Sequence, residues 1–266
     1  MSFKTWHSYW KFRTAVATRS RYIFDKETED FLAEVIKTSK SRQMTIHKDE
    51  ILWRAQLGSG TRPIADENGN EFEDLCPLPS NRMKPLKFAA REGRVNTKGI
   101  PCLYLATSKE TAMSEVRPWV GSEISVAQFK IKKELTVINC SMNVLESDPL
   151  FYNAVDQEFY EPSEEEKEKS VWTHLDKAFS EPVTQNDDQA HYAPTQIIAE
   201  LFKKNGLDGV LYKSMLADDY NVALFDPEVA EMLNCSLYKA SRVTFSFEQT
   251  ANPYFIKSNQ KSGCKV

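Results

Sequence analysis

The chain has 266 residues, 41% of them hydrophobic and 27% charged, an ordinary balance for a folded protein and enough chain to bury a sizeable core. Its net charge of −4 and pI of about 5.7 exclude a global basic field that would draw it to nucleic acid or anionic lipid. No apolar run approaches the roughly 18 residues of a membrane span. The aromatic, basic opening MSFKTWHSYWKFR lacks the apolar segment of a secretory signal. Cys76, Cys102, Cys140, Cys235 and Cys264 are widely spaced, odd in number and form no C-x-x-C pair. They point to reduced thiols in a cytoplasmic protein, with no disulfide framework and no metal site.

In chain order, residues 1–22 are rich in aromatic and basic side chains, and a helix is predicted from about Asp25 to Lys37. There Phe24, Phe31, Leu32, Val35 and Ile36 recur at helical spacing, behind an acidic first turn. ILWRA (51–55) reads as a strand. Residues 58–85 hold Gly, Asn, Asp and Pro without period and read as a long loop. PCLYLAT (101–107) is a strand, followed at once by a helix over 108–117 with Ser108 as N-cap and Pro118 as stop. ISVAQFKI (124–131) alternates as a half-buried strand does, and LTVIN (135–139) continues the pattern. Residues 147–160 read as helical, 161–170 as a charged linker or helix start, and 171–179 as helix.

APTQIIAELFKKNG (193–206) carries the strongest helical stripe, with Pro194 in its first turn and Gly206 just past its end. DGVLYKS (208–214), NVALF (221–225) and LYKASRVTFSFEQ (237–249) are predicted strands. Hairpin-like strand pairs with scattered helices argue for an α+β fold of mixed or antiparallel sheets with surrounding helices. The expected organisation is a helical extension over 1–45, a catalytic domain over 46–249 and a loose tail over 250–266.

Several chemistries are absent. GSG (58–60) lacks the third glycine of a dinucleotide fingerprint, and there is no GxxxxGK[ST], HExxH or GxSxG. An enzyme built on this chain must use Arg, Glu, Tyr and Ser or Thr. RVNTKGIPCLYLATSKETAMSEVRPW (94–119) places Arg94, Tyr104 and Glu115 in one strand–turn–helix unit. Glu115 flanks the apolar stripe of Ala112, Met113 and Val116, and Tyr104 faces away from Leu103 and Leu105. The three could converge at one sheet edge. Plain structural roles compete with this: a surface pair of Glu115 with Arg117, Tyr104 as packing, Arg94 and Asn96 as turn residues, Ser214 as a turn cap.

The same stretch resembles the RES-domain family, with its Arg-x-Asn turn, LYLA strand and helical Glu after a TA pair. LWRAQ (52–56), HYAPTQIIAE (191–200) and DGVLYKSMLADDYNVALFDP (208–227) are similar to three further family segments, in the same order. The resemblance covers about residues 46–230. It implies a fold like that of ADP-ribosyltransferases and cleavage of the nicotinamide–ribose bond of NAD⁺ by hydrolysis or phosphorolysis, as in bacterial toxins or defence effectors. Transfer of ADP-ribose to a protein, or a non-enzymatic binding module on the same fold, are the alternatives. The family Arg, Glu and Ser fall on Arg54, Glu115 and Ser214. Glu115 would hold the ribose and its developing cation, Arg54 or Arg94 the pyrophosphate, and Tyr104 would stack on nicotinamide. Ser214 would bind a phosphate or orient the nucleophile. Some members carry a Ser before the late helix, where this chain reads Tyr192-Ala193-Pro194-Thr195. Thr195 or its neighbours would then substitute, and Asn96, Tyr192, Thr195 and Gln196 are taken as substrate-binding. The resemblance implies NAD⁺ as substrate rather than a resident cofactor, with phosphate as a co-substrate. It implies a separate antitoxin or regulatory protein as partner, while the charge and the lack of a long apolar run speak against nucleic acid and membrane.

Overall fold

The computed structural model describes residues 3–86, 88–147, 151–153, 158–181 and 189–250. Helices α1 (Ser8–Thr18) and α2 (Lys26–Thr38) open the chain. Asp25 caps α2 by accepting the Thr28 N–H at 2.9 Å, and Glu27 and Glu29 favour the positive end of its dipole. Strands β1 (Gln43–Ile46) and β2 (Ile51–Leu57) follow, then β3 (Gly60–Ala65), β4 (Glu71–Cys76) and the short helix α3 (Ser80–Met83). Next come β5 (Leu103–Ala106), α4 (Lys109–Glu115), β6 (Glu123–Ile131), β7 (Leu135–Cys140), and the two-residue strands β8 (Tyr152–Asn153) and β9 (Glu158–Phe159). The chain ends with α5 (Glu164–Ser180), α6 (Ala193–Lys204), β10 (Gly209–Lys213), β11 (Tyr220–Leu224) and β12 (Ala230–Lys239).

Eight strands form one mixed sheet in the order β1-β7-β10-β11-β5-β2-β6-β12. Its pairings are antiparallel except for β7 with β10, which run parallel. The fold is therefore α+β. One face buries Ile46, Leu52, Leu103, Leu105, Phe129, Leu211 and Val222, with Met83 packed against them. Over the other face, Phe12, Val16, Phe31 and Val35 of α1 and α2 join Trp172, Phe179, Ile198 and Phe202 of α5 and α6. Each such side chain contributes about 1.5–3 kcal/mol by burial. Helix α4 covers a smaller cluster on that same face, Ala55, Ala106 and Val126. Among the described residues no helix is long and apolar enough to cross a membrane.

Three readings of the sequence change. Residues 58–85 contain the β3–β4 hairpin, whose turn is tied by Asp66 Oδ1 accepting the Asn68 and Asn70 N–H groups, with Gly69 at φ +79°. Neither strand has a buried face, so no alternation betrays it. The described residues of 147–160 are not helical but form the β8–β9 pair, the rest of that reading lying outside the described residues. The last strand lies at Ala230–Lys239, not 237–249. It is a half-exposed edge strand with a bulge between Met232 and Asn234, which breaks the period-2 pattern. The charged run 161–170 is resolved as a helix start, where Ser163 and Glu166 form a reciprocal capping box. Residues beyond 250 lie outside the described residues.

Candidate active site

Glu115 stands at the end of α4, whose start is fixed by Ser108 accepting the Thr111 N–H at 3.2 Å. Its Oε1 accepts from Ser214 Oγ at 2.7 Å and from Asn221 Nδ2 at 2.6 Å. Ser214 and Asn221 are buried, at 2% and 5% exposure, whereas Glu115 is exposed. The carboxylate is thus anchored by one oxygen, and its Oε2 meets no partner among the described residues. It makes no ion pair with Arg117 there. Ser214 directly follows β10 and Asn221 is the second residue of β11, so the connection between these strands brings the two together. That loop is drawn together by Lys213, whose Nζ donates to the carbonyls of Ala217 at 3.2 Å, Asp219 at 3.3 Å and Asp218.

Strand register explains which side chains share this surface. Tyr212, Asn221, Ala106 and Trp53 pair successively across β10, β11, β5 and β2, so they form one row on one face. Ser214, two residues beyond Tyr212, continues the same face. Tyr212 is buried, and its phenol is held well above its ordinary value by burial. The nearby Arg94 cation opposes that rise, while the Glu115 carboxylate and Tyr192 add to it. The Arg94 guanidinium carbon lies 5.4 Å from the Tyr212 ring centre. Tyr212 thus packs beside the Arg94 cation, on the row of the sheet that carries Asn221.

Arg94 donates to the carbonyls of Phe179 and Glu181, satisfying the carboxyl end of α5. Its Nε is buried without a hydrogen-bond partner among the described residues. A dense polar web holds the loop that carries it. Asn96 Nδ2 donates to the carbonyls of Arg91, Thr97 and Ile100, at 3.0, 3.1 and 2.8 Å. The Tyr104 hydroxyl donates to Asn96 Oδ1 at 2.7 Å and accepts the Val95 N–H at 3.0 Å, and burial raises its phenol well above the usual value. A Cβ at Gly93 would lie 2.6 Å from that hydroxyl, so the turn requires glycine. Thr195 Oγ1 donates to the Arg94 carbonyl at 2.8 Å and to the Tyr192 carbonyl at 3.0 Å. Gln196 Nε2 reaches Glu92 Oε1 at 3.0 Å and the carbonyls of Gly93 at 2.9 Å and Asn96 at 3.1 Å.

The predicted residues thus divide into groups. Glu115 and Ser214 meet directly, the Arg94 guanidinium approaches the Tyr212 ring, and Tyr192 gives its carbonyl to Thr195. Asn96, Tyr104, Thr195 and Gln196 spend their polar atoms on the loop that carries Arg94. Arg54 stands apart. It pairs with Ala127 in register, on the opposite face from Trp53, and its Nη1 donates to the Tyr104 carbonyl at 2.9 Å. This occurs where β2 and β5 share the single register pair Trp53↔Ala106, leaving that carbonyl open. Burial works against the Arg54 charge, and its Nε has no partner among the described residues. It makes no hydrogen bond to Glu115. Tyr212 and Asn221 are absent from the predicted set. Their signal is the spacing of two from Ser214 and a lone amide opening an apolar strand.

The RES domain, as a family model, matches residues 75–246, more than half of the chain. The chain belongs to the RES-domain family. The RES match includes Arg94, Tyr104, Glu115, Thr195, Ser214 and Asn221, and begins after Arg54. A crystal structure of the M. tuberculosis MbcT–MbcA toxin–antitoxin complex is similar at 12% identity and a TM-score of 0.40, over 78% of this chain and 93% of that one. A likeness at that level decides nothing about the fold or activity of this RES protein. A search of curated proteins finds no match.

Proposed function

We propose that this RES-domain protein cleaves the nicotinamide–ribose bond of NAD⁺ and passes the ADP-ribosyl group to water or phosphate. The observation that carries the reading is Glu115, an exposed carboxylate held through one oxygen by two buried donors, with its other oxygen open. In the proposed step the C–N bond breaks and its electron pair leaves with nicotinamide. The ribosyl centre becomes oxocarbenium-like, and the fixed negative charge of Glu115 stabilises it. Water or phosphate then adds at that carbon, and a proton is released. Arg94, beside the Tyr212 ring and with N–H groups beyond the two it gives to Phe179 and Glu181, is the preferred cation for the pyrophosphate. Arg54, on the other face, is better suited to holding the β2–β5 seam.

Incubation of purified protein with NAD⁺, with and without phosphate, tests the reading. Nicotinamide release by wild-type protein, lost in Glu115→Ala, is the expected result. Label from NAD⁺ appearing on a protein instead would move the acceptor to a polypeptide. We also propose that production of the active chain depletes cellular NAD⁺ and is restrained by a separate partner protein. Wild type should then stop growth, and Glu115→Ala should not.

A further inference from the structure

Asn221 has no role in the reaction as proposed so far, yet it makes the shorter of the two hydrogen bonds to Glu115. Ser214 has both hydrogen-bonding functions engaged. Its hydroxyl donates to Glu115 at 2.7 Å and its oxygen accepts the Leu216 N–H at 3.1 Å. A hydroxyl that donates to a carboxylate and accepts an amide N–H is held in one orientation beside that carboxylate.

We infer that Asn221 and Ser214 form a two-point clamp on Glu115 Oε1, with Asn221 a positioning residue that acts on the substrate only through that carboxylate. This rests on the proposed NAD⁺ cleavage for its kinetic meaning, though the clamp itself does not. The geometry of the loop supports it. Ser214 N–H donates to the Asp219 carbonyl at 3.1 Å, closing the connection between the two clamping residues. Lys213 gathers the intervening carbonyls and lies 5.3 Å from the Tyr220 ring centre. Asn221 pairs with Tyr212 on one side and Ala106 on the other, so sheet hydrogen bonds fix its backbone. An amide is the fitting group here, because it donates to a carboxylate without neutralising it or competing for protons. With both donors on one oxygen of an exposed residue, the other is left without a partner among the described residues, free for the charge stabilisation that strengthens in the transition state.

The test uses the full chain carrying Asn221→Ala, Asn221→Asp, Glu115→Gln and the pair Asn221→Asp/Glu115→Gln, measured for kcat and KM on NAD⁺ and for melting temperature. Asn221→Ala should lose about 10- to 100-fold in kcat while KM moves less than about threefold, the split expected when a charged hydrogen bond matters mainly in the transition state. Asn234→Ala is the control. Asn234 Nδ2 makes a similar 2.7 Å bond to Gln128 Oε1 on the remote β12 edge, and its loss should leave kcat unchanged. Asn221→Asp sets two carboxylates against each other and should lower the melting temperature. Adding Glu115→Gln restores an amide–carboxylate bond with the roles exchanged and should recover most of that loss. An Asn221→Ala kcat within twofold of wild type overturns the positioning role. No recovery in the paired variant overturns the clamp. A wild-type chain that releases no nicotinamide while the melting cycle shows coupling overturns the reaction and leaves the clamp standing.

Discussion

Tyr104 shows why residue-level chemistry needs the structure. In the sequence it is a strand aromatic beside a suspected site, equally suited to stacking on a ligand. In the fold its hydroxyl is fully engaged, donating to Asn96 Oδ1 and accepting the Val95 N–H. Tyr104→Phe keeps the ring and removes both bonds, leaving a buried donor and acceptor unpaired. It should destabilise the protein by about 1–3 kcal/mol, read by chemical denaturation. An unchanged midpoint would show that the loop does not depend on this tie. Glu115 and Ser214 were legible because they sit in motif stretches. Asn221 was not, because a lone amide in an apolar strand gives no sign that a carboxylate 106 positions away in sequence will meet it. The face taken by Arg54 was equally hidden, since the register of β2 against β6 sets it.

At the scale of elements, legibility followed burial. Helices α2 and α6 bury one stripe each and were read within a residue or two of their ends, because apolar spacing and capping residues agree. The β3–β4 hairpin buries neither face and β12 only part of one, so turn chemistry and edge position shaped them without leaving a periodic trace. Helix α5 joins both cases. Its buried half reads as helix, and its exposed acidic start becomes one through the Ser163–Glu166 box. Ser163→Ala removes the acceptor for the Glu166 N–H and should cost about 0.5–2 kcal/mol of stability. Because the other end of α5 is held by Arg94, fraying from its start should leave nicotinamide release largely intact. A loss of activity as large as that of Glu115→Ala would contradict this division.

Across the whole molecule, one buried ion pair joins distant parts of the chain. Arg42 Nη1 donates to Asp176 at 2.8 and 3.0 Å, Asp176 also accepts the Asn143 N–H at 2.8 Å, and the Arg42 guanidinium lies 4.1 Å from the Trp172 ring centre. This ties the segment before β1, the turn after β7 and the middle of α5. Burial pushes the Asp176 carboxyl up from 3.8 to about 6, against the pull of Arg42. The folded state therefore binds this proton more tightly than the unfolded chain does. The resulting stability is fully present below about pH 4 and is lost as pH rises through about 6. Asp176→Asn lacks the titration. Its stability relative to wild type should rise between pH 4 and 7, measured by denaturation across the range. A constant gap would contradict the account of this pair.

The central claim concerns Glu115, and the most direct measurement is nicotinamide release from NAD⁺ by wild-type protein and by Glu115→Ala at matched, folded concentrations. Release by wild type with a loss of at least about 100-fold in the variant is the predicted result, as expected for removal of a main electrostatic group. Equal release by both proteins, or none by wild type with or without phosphate, would contradict it.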